Sequence, residues 1–312
     1  VGVVVSGVPA GLPLKPDDFS EDLNRRRPGE AGTTARTETD TPSFMSGVFN
    51  GRATGAPVAI SFQNQNTRSK DYAFTREIPR PGHADWTAYK KYGGFNDYRG
   101  GGQFSGRLTV GLVAAGVIAK KMIRPAAVNA GLAEAGGSRD IDAAVRNAYR
   151  ENDSIGGLIE CRVQDLPAGL GEPFFDSVES CISRMVFAIP GIKGIEFGSG
   201  FACSRMHGSE CNDRIISREG QTASNHAGGI NGGITSGNDL VFRAAVRPTA
   251  SISKTQKTVN MQTGELQTLA VKGRHDTCIA LRMPVIIEAA AAVVLADFML
   301  QAQEIKRIWE DI

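Results

Sequence analysis

Glycine constrains this chain more than any other residue type. It supplies 37 of the 312 residues, gathered into a few tracts rather than spread evenly, against roughly 7% in average proteins. The tracts have no G-X-Y period, which excludes a collagen-like rod. They read as loops whose backbone approaches a partner closely or takes up φ > 0. Around them the composition is ordinary, with 41% hydrophobic and 22% charged residues. That excludes wholesale disorder and leaves enough chain for one large core or two modest ones.

The periodicities predict an α+β fold. Strand-like runs rich in β-branched or bulky residues are Val1–Val5, Val58–Phe62, Gly157–Val163, Leu240–Val246 and Leu266–Val271. A first helix is expected from Pro16 to Arg27, with acids in its first turn, Arg25 to Arg27 in its last, and Pro28-Gly29 as its stop. Further helices are expected at about Gly106–Ile123, Ile141–Arg150 and Ser177–Ile189, the last ended by Pro190-Gly191. The segment Val285–Gln301 is apolar nearly all round and predicts a buried helix. No linker or repeat divides the chain, so residues 1–312 read as one domain.

Charge is distributed unevenly. The whole chain nets +2, far from the basicity of a dedicated nucleic-acid binder. Residues 25–107 nonetheless hold thirteen cationic side chains, ten of them arginine, against seven acids. Arginine suits bidentate recognition of carboxylate or phosphate. Several of these arginines border glycine and proline turns, as in Arg80-Pro81-Gly82-His83-Ala84-Asp85 and Arg99-Gly100-Gly101-Gly102. That setting favours an anion site, although a solvated basic face remains the alternative on charge alone.

Cys161, Cys181, Cys203, Cys211 and Cys278 are odd in number and form no C-x-x-C pair. They predict reduced, mostly buried thiols in a cytoplasmic protein and no structural zinc. The longest apolar stretch, Ile279 to Leu300, is broken by Arg282, Glu288 and Asp297 and does not read as a membrane span. No two of the four histidines lie three to five residues apart, which argues against a metal site. A lone histidine is more often structural; His83 stands out because Arg80 and Asp85 flank it in a turn.

The tract Arg99 to Arg107, R-G-G-G-Q-F-S-G-R, leads straight into a helix and offers backbone N–H donors to an anion. It is not a Walker loop, and the chain contains neither a clean G-x-G-x-x-G nor a G-x-S-x-G. A second tract, Asn225 to Gly237, has no metal-ligand spacing and could equally be a packed loop.

Taken together, these segments resemble the chorismate synthase family. The signs in order are V-S-G-V-P-A-G-L-P-L at 5–14, L-N-R-R-R-P-G at 23–29, N-x-x-x-R-S-x-D-Y at 64–72, R-P-G-H-A-D at 80–85 and D-Y-R-G-G-G-Q-F-S-G-R at 97–107. They continue with N-D-S-I-G-G at 152–157, G-S-E-C-N-D at 208–213, S-N-H-A-G-G-I-N-G-G-I at 224–234, R-P-T-A-S-I at 247–252 and G-R-H-D-T-C at 273–278. The resemblance spans essentially the whole chain.

What the resemblance implies is a sandwich of helices between β-sheets, usually a homotetramer. The implied activity is 1,4-elimination of phosphate from 5-enolpyruvylshikimate 3-phosphate to give chorismate, with reduced FMN as cofactor. By motif, Arg26, Arg36, Arg80 and Arg107 would hold the substrate's phosphate and carboxylates. His83 and Asp276 would be catalytic. Flavin contacts would fall on Gln103, Ser105, Pro190, Gly191, Gly232, Arg274 and the strip Arg247, Pro248, Thr249, Ala250 and Ser251.

The chain opens inside an apolar run, and the expectation is that the family's G-E-S-H-G motif, with its other catalytic histidine, precedes Val1. Gln103-Phe104-Ser105 stands where many members have R-S-S, and Arg247-Pro248-Thr249 where many have K-P-T. No nicotinamide fingerprint is visible, so NADPH would act through a separate flavin reductase. The competing class is a non-catalytic flavin- or anion-binding homologue, which would need neither His83 nor Asp276.

Overall fold

The computed structural model describes residues 1–29, 32–34, 39–64, 74, 77–271 and 275–310. The chain begins with strand β1 (Gly2–Val5) and helix α1 (Ser20–Arg26), the latter preceded by a 3-10 turn over Pro16–Phe19. Strand β2 (Ser43–Ser46), the small hairpin β3–β4 (Val48–Phe49 and Arg52–Ala53) and β5 (Val58–Ser61) follow. Then come α2 (Asp85–Tyr92), α3 (Thr109–Met122), β6 (Ala127–Ala135), α4 (Ile141–Arg150), β7 (Gly157–Gln164), α5 (Val178–Phe187) and β8 (Ile192–Phe197). The remainder comprises the single turn α6 (Gly208–Cys211), the hairpin β9–β10 (Ile230–Asn231 and Ile234–Thr235) and β11 (Leu240–Val246). The hairpin β12–β13 (Gln256–Val259 and Leu266–Leu269) and α7 (Pro284–Gln301) close the chain.

Two antiparallel sheets, ordered β1-β5-β2 and β6-β7-β11-β8, flank a central layer of helices. Helix α3 packs on the first sheet through β1 and β5, α7 packs on the second through β6 and β7, and α3 and α7 pack on each other. The order is therefore sheet, helix, helix, sheet, the α+β sandwich expected from the motifs. Strand β11 shows why this arrangement holds. Leu240, Phe242, Ala244 and Val246 are buried while the residues between them are not, the period-two signature of one covered face. At the helix crossing, a Cβ on Gly116 of α3 would collide with Ala289 Cβ of α7. Glycine and the buried run Ala289 to Ala292 let the two axes approach closely.

The five helices and five strands expected from the sequence all form, within a few residues at their ends. The periodicities did not announce α2, β2, β6, β8 or β12. All five cysteines are unbridged, but only Cys161 and Cys278 are buried; Cys181, Cys203 and Cys211 are half-buried, contrary to expectation.

Glu288, which interrupts the apolar C-terminal run, is 2% exposed in the second turn of α7. Its Oε1 accepts from Arg25 Nη2 at 2.6 Å and from the Ala130 N–H of β6 at 2.9 Å. Its Oε2 accepts from Arg25 Nη1 at 2.8 Å and Lys120 Nζ of α3 at 2.6 Å. Asp22 of α1 accepts from the same two cations. One carboxylate thus ties α1, α3, α7 and β6 together. Burial alone would raise its pKa, but Arg25, Lys120 and the β6 amide pull it below the usual glutamate value.

Glu288→Ala should cost about 2–4 kcal/mol in urea unfolding, less than for a fully enclosed pair because Arg25 keeps contact with solvent. Because the folded-state pKa is depressed, the wild-type contribution should be complete above the ordinary glutamate range. It should fade as pH falls through the lowered value. A pH-independent difference between wild type and variant would contradict this account.

Candidate active site

A cleft of about 690 Å³ opens between the end of α1, the N-terminus of α3, the start of β8 and the residues just before α7. Arg26 reaches it because its neighbour Arg25 is drawn the other way, to Glu288. Arg26 is buried, and its Nη2 donates to Asp40 Oδ2 at 2.9 Å. Arg107 Nη1 pairs with the other oxygen, Oδ1, of Asp40, and its Nε donates to Asn64 Oδ1 at 3.0 Å. One buried carboxylate therefore holds two guanidiniums on one wall. Burial pulls the Arg26 pKa down to about 10; Asp40 opposes this, while Arg282 and Arg107 add to it. Arg26 remains charged at neutral pH, and an anion placed beside it would relieve that depression.

The glycine tract before α3 leads straight into the helix, as expected. Residues Arg99–Phe104 and Gly106–Leu108 form consecutive 3-10 turns. Ser105 Oγ accepts from the Arg107 N–H at 3.2 Å. Gln103, Ser105 and Arg107 then face the cleft with Gly106 and Thr109.

On another side lie His83, Pro190, Gly191 and the strip Arg247, Pro248, Thr249, Ala250 and Ser251. The strip is locked to the His83 turn, because Arg247 Nη1 donates to the Gly82 carbonyl. Gly82 has φ +70°, and a Cβ there would meet Arg247 Nη2 at 2.5 Å, so a side chain would displace the Arg247 guanidinium. Asp276 accepts from the Thr34 N–H at 2.9 Å and sits 3.4 Å from Arg282 Nη1 through each oxygen. Arg282 Nε in turn donates to the Arg26 carbonyl at 2.9 Å. The apolar part of the lining includes Phe187, Ile189, Ile279, Met283 and Ile286.

Most of the residues expected from the motifs converge here: Arg26, Arg107, His83, Asp276, Gln103, Ser105, Pro190, Gly191 and Arg247 to Ser251. Arg36 and Arg274 lie outside the described residues, as does all of the 64–72 motif except Asn64.

Two of the expected site residues lie outside the cleft's lining. Arg80 is one of them. It is buried behind it, donating to Asp85 Oδ2 through Nε at 2.8 Å, to Asp85 Oδ1 through Nη2 at 2.9 Å and to Ser251 Oγ through Nη1 at 3.0 Å. Gly232 is the other; it lies in the turn of the β9–β10 hairpin, where a Cβ would meet nothing within 4 Å. The tract around it is a packed loop. Asp213 accepts from the His226 and Ala227 N–H groups and from Ser224 Oγ, at 2.7 to 2.8 Å. A Cβ on Gly229 would press into the Asp239 carbonyl.

The sequence reading missed Asp40, Arg282, Lys193 and His275 as members of the site. Arg282 carried a signal, a cation inside the apolar C-terminal run. Asp40 carried none. His275 is held neutral more strongly than usual by burial and by the nearby charge of Arg80.

Four buried polar atoms on cleft residues have no hydrogen-bond partner: Arg26 Nε, Arg27 Nε, Thr249 Oγ1 and His275 Nε2. Unpaired buried polar groups are costly, and their gathering at one cleft points to a polar ligand that completes them.

Comparison with known proteins agrees with this geometry. The chorismate synthase family model matches residues 1–300. A chorismate synthase from Chitinophaga pinensis is 59% identical over 312 residues, covering all of this chain and 94% of its own length. Those of Dehalococcoides mccartyi and Korarchaeum cryptofilum are 44% and 41% identical, over 99% and 97% of this chain and 93% and 92% of theirs. A chorismate synthase crystal structure superposes with a TM-score of 0.72 at 24% identity, over 96% of this chain and 87% of that one, which establishes the shared fold. A full-length family match, high identity across organisms and a common sandwich leave one conclusion: the chain belongs to the chorismate synthase family.

Proposed function

We propose that this enzyme eliminates phosphate and a ring proton from 5-enolpyruvylshikimate 3-phosphate to give chorismate, with reduced FMN bound in the cleft. The observation that carries the proposal is the mixed lining of the cleft: arginines held by Asp40, a set of apolar side chains, and four residues with unpaired buried polar atoms. An aromatic, phosphate-bearing cofactor and a small trianionic substrate match that lining, and the volume suits a cofactor with its substrate.

A substrate with one phosphate and two carboxylates carries about three to four negative charges. Arg26 and Arg107, already fixed by Asp40, would neutralise part of that charge and favour departure of phosphate without reorganising. Pro190, Gly191 and the strip from Arg247 to Ser251 would hold the flavin, with Thr249 Oγ1 and His275 Nε2 available to its polar edge. Reduced FMN, when bound, supplies transient electron density to the breaking C–O bond. His83 would carry a proton at the cleft wall. Asp276, oriented by the Thr34 amide and Arg282, would hold a proton near the flavin. Arg80 would brace His83 rather than clamp the substrate.

Residues 1–312 would act as one catalytic domain, which the continuous buried core supports. Assembly into a homotetramer would cover exposed aromatics such as Phe174, Phe175 and Phe201. A separate, cytoplasmic flavin reductase would supply the reduced cofactor.

In the full-length protein under anaerobic conditions, one equivalent of reduced FMN should support many turnovers, and oxidised FMN alone none. Flavin oxidation stoichiometric with phosphate release would reject the reading. Arg107→Ala should lower kcat/KM by about 30-fold or more, as expected when one partner of a desolvated charge contact is lost. A value within threefold of wild type would remove Arg107 from the substrate site. His83→Ala should lower kcat by about 10²–10⁴-fold while the protein stays folded and binds FMN. Loss of the fold instead would make His83 a structural residue.

A further inference from the structure

The turn carrying His83 contains a second carboxylate that the proposed chemistry does not use. Asp85 stands in the first turn of α2 and is mostly buried, held by Arg80 and His83. Its Oδ2 accepts from the Arg80 backbone N–H at 3.0 Å and from Arg80 Nε at 2.8 Å. Its Oδ1 accepts from Arg80 Nη2 at 2.9 Å and lies 2.7 Å from His83 Nδ1. Arg80 and His83 outweigh the effect of burial and hold this carboxyl below the usual aspartate range.

An ionised carboxylate can only accept. At 2.7 Å, the proton between Asp85 and His83 therefore resides on Nδ1. Arg80 Nη2 is also 3.0 Å from Nδ1, but a guanidinium can only donate, so it cannot serve a protonated Nδ1. The conflict resolves with Nη2 donating to Asp85 Oδ1 and Nδ1 donating to the same oxygen. Neutral His83 is then left with a single basic atom, Nε2.

We propose that Asp85 is the positioning residue of His83: it fixes the Nδ1–H tautomer and leaves Nε2 as the nitrogen that exchanges a proton with the cleft's contents. The same carboxylate engages Arg80, whose Nη1 donates to Ser251 at the end of the Arg247 strip. The ring is thereby held in register with both the turn and the proposed cofactor wall. This arrangement rests on the reading of His83 as a proton carrier, and it adds the group that selects which nitrogen does the work.

The test combines ¹⁵N NMR of the His83 ring in the holoenzyme with a mutant cycle. At a pH where His83 is neutral, the wild-type ring should show a protonated Nδ1 and an unprotonated Nε2. Asp85→Asn should mix or invert the tautomers and lower kcat at least about tenfold, a fraction of the full acid–base contribution, with KM within threefold. In a His83→Ala background, Asp85→Asn should change kcat less than about twofold, because the two act as a unit.

A wild-type ring protonated at Nε2 would overturn the proposal. So would an Asp85→Asn loss of equal size in both backgrounds, or an Asp85→Asn variant that keeps tautomer and kcat. If Asp85→Asn fails to fold, the wild-type spectrum decides alone. A His83→Ala variant with wild-type kcat would instead reject the catalytic role of His83, an outcome separate from the tautomer measurement.

Discussion

The site depends on a buried ion cluster that lies outside it. Glu288 accepts from Arg25, Lys120 and the β6 backbone, and in doing so fixes α1 against α3, α7 and the second sheet. Successive residues on a short helix point about 100° apart. Once Arg25 is committed to Glu288, Arg26 is directed elsewhere, to Asp40 and the cleft. A buried carboxylate is expensive unless every oxygen is satisfied. Here both are, so the cost of burial becomes orientation for the first arginine of the anion wall.

The cleft solves a related problem of like charges. Arg26, Arg107 and Arg282 gather in one region, and without counter-charge they would repel one another in a medium that screens poorly. Asp40 neutralises Arg26 and Arg107 in part, and Asp276 faces Arg282. Enough positive potential remains to attract an anion, and the guanidiniums are already placed before one arrives. Preorganisation of this kind favours developing charge on a departing group, since little has to move when it forms.

Behind the His83 turn the same economy recurs. Arg80 spends its donors on Asp85 and Ser251, which removes it from the cleft surface but stiffens the turn and the strip facing it. Gly82 leaves room for the Arg247 guanidinium beside the turn's carbonyl. Motif likeness placed Arg80 among residues that touch substrate; in this structure its guanidinium pairs with Asp85 and Ser251.

The sequence by itself determined the elements with strong periodicity and the residue types of the site. Strand β11 alternates, α3 repeats its apolar residues at helical spacing and α7 is a long run apolar nearly all round, so local pattern suffices for them. Motif order located Arg26, Arg107, His83, Asp276 and the Arg247 strip. Only the tertiary structure decided the rest. Strand β6, Ala-Val-Asn-Ala-Gly-Leu-Ala-Glu-Ala, has few residues of high β propensity; it is a strand because β7 pairs with it and α7 covers it. Asp40 looked like an ordinary acid, and Glu288 stood out only as a break in an apolar run; the roles of both arise from partners that local pattern cannot encode. Gly232 sits in a motif yet lies in the β9–β10 turn, outside the cleft's lining. Spacing along the chain fixes which chemistry is available, and long-range contacts fix which side chains face the same cavity.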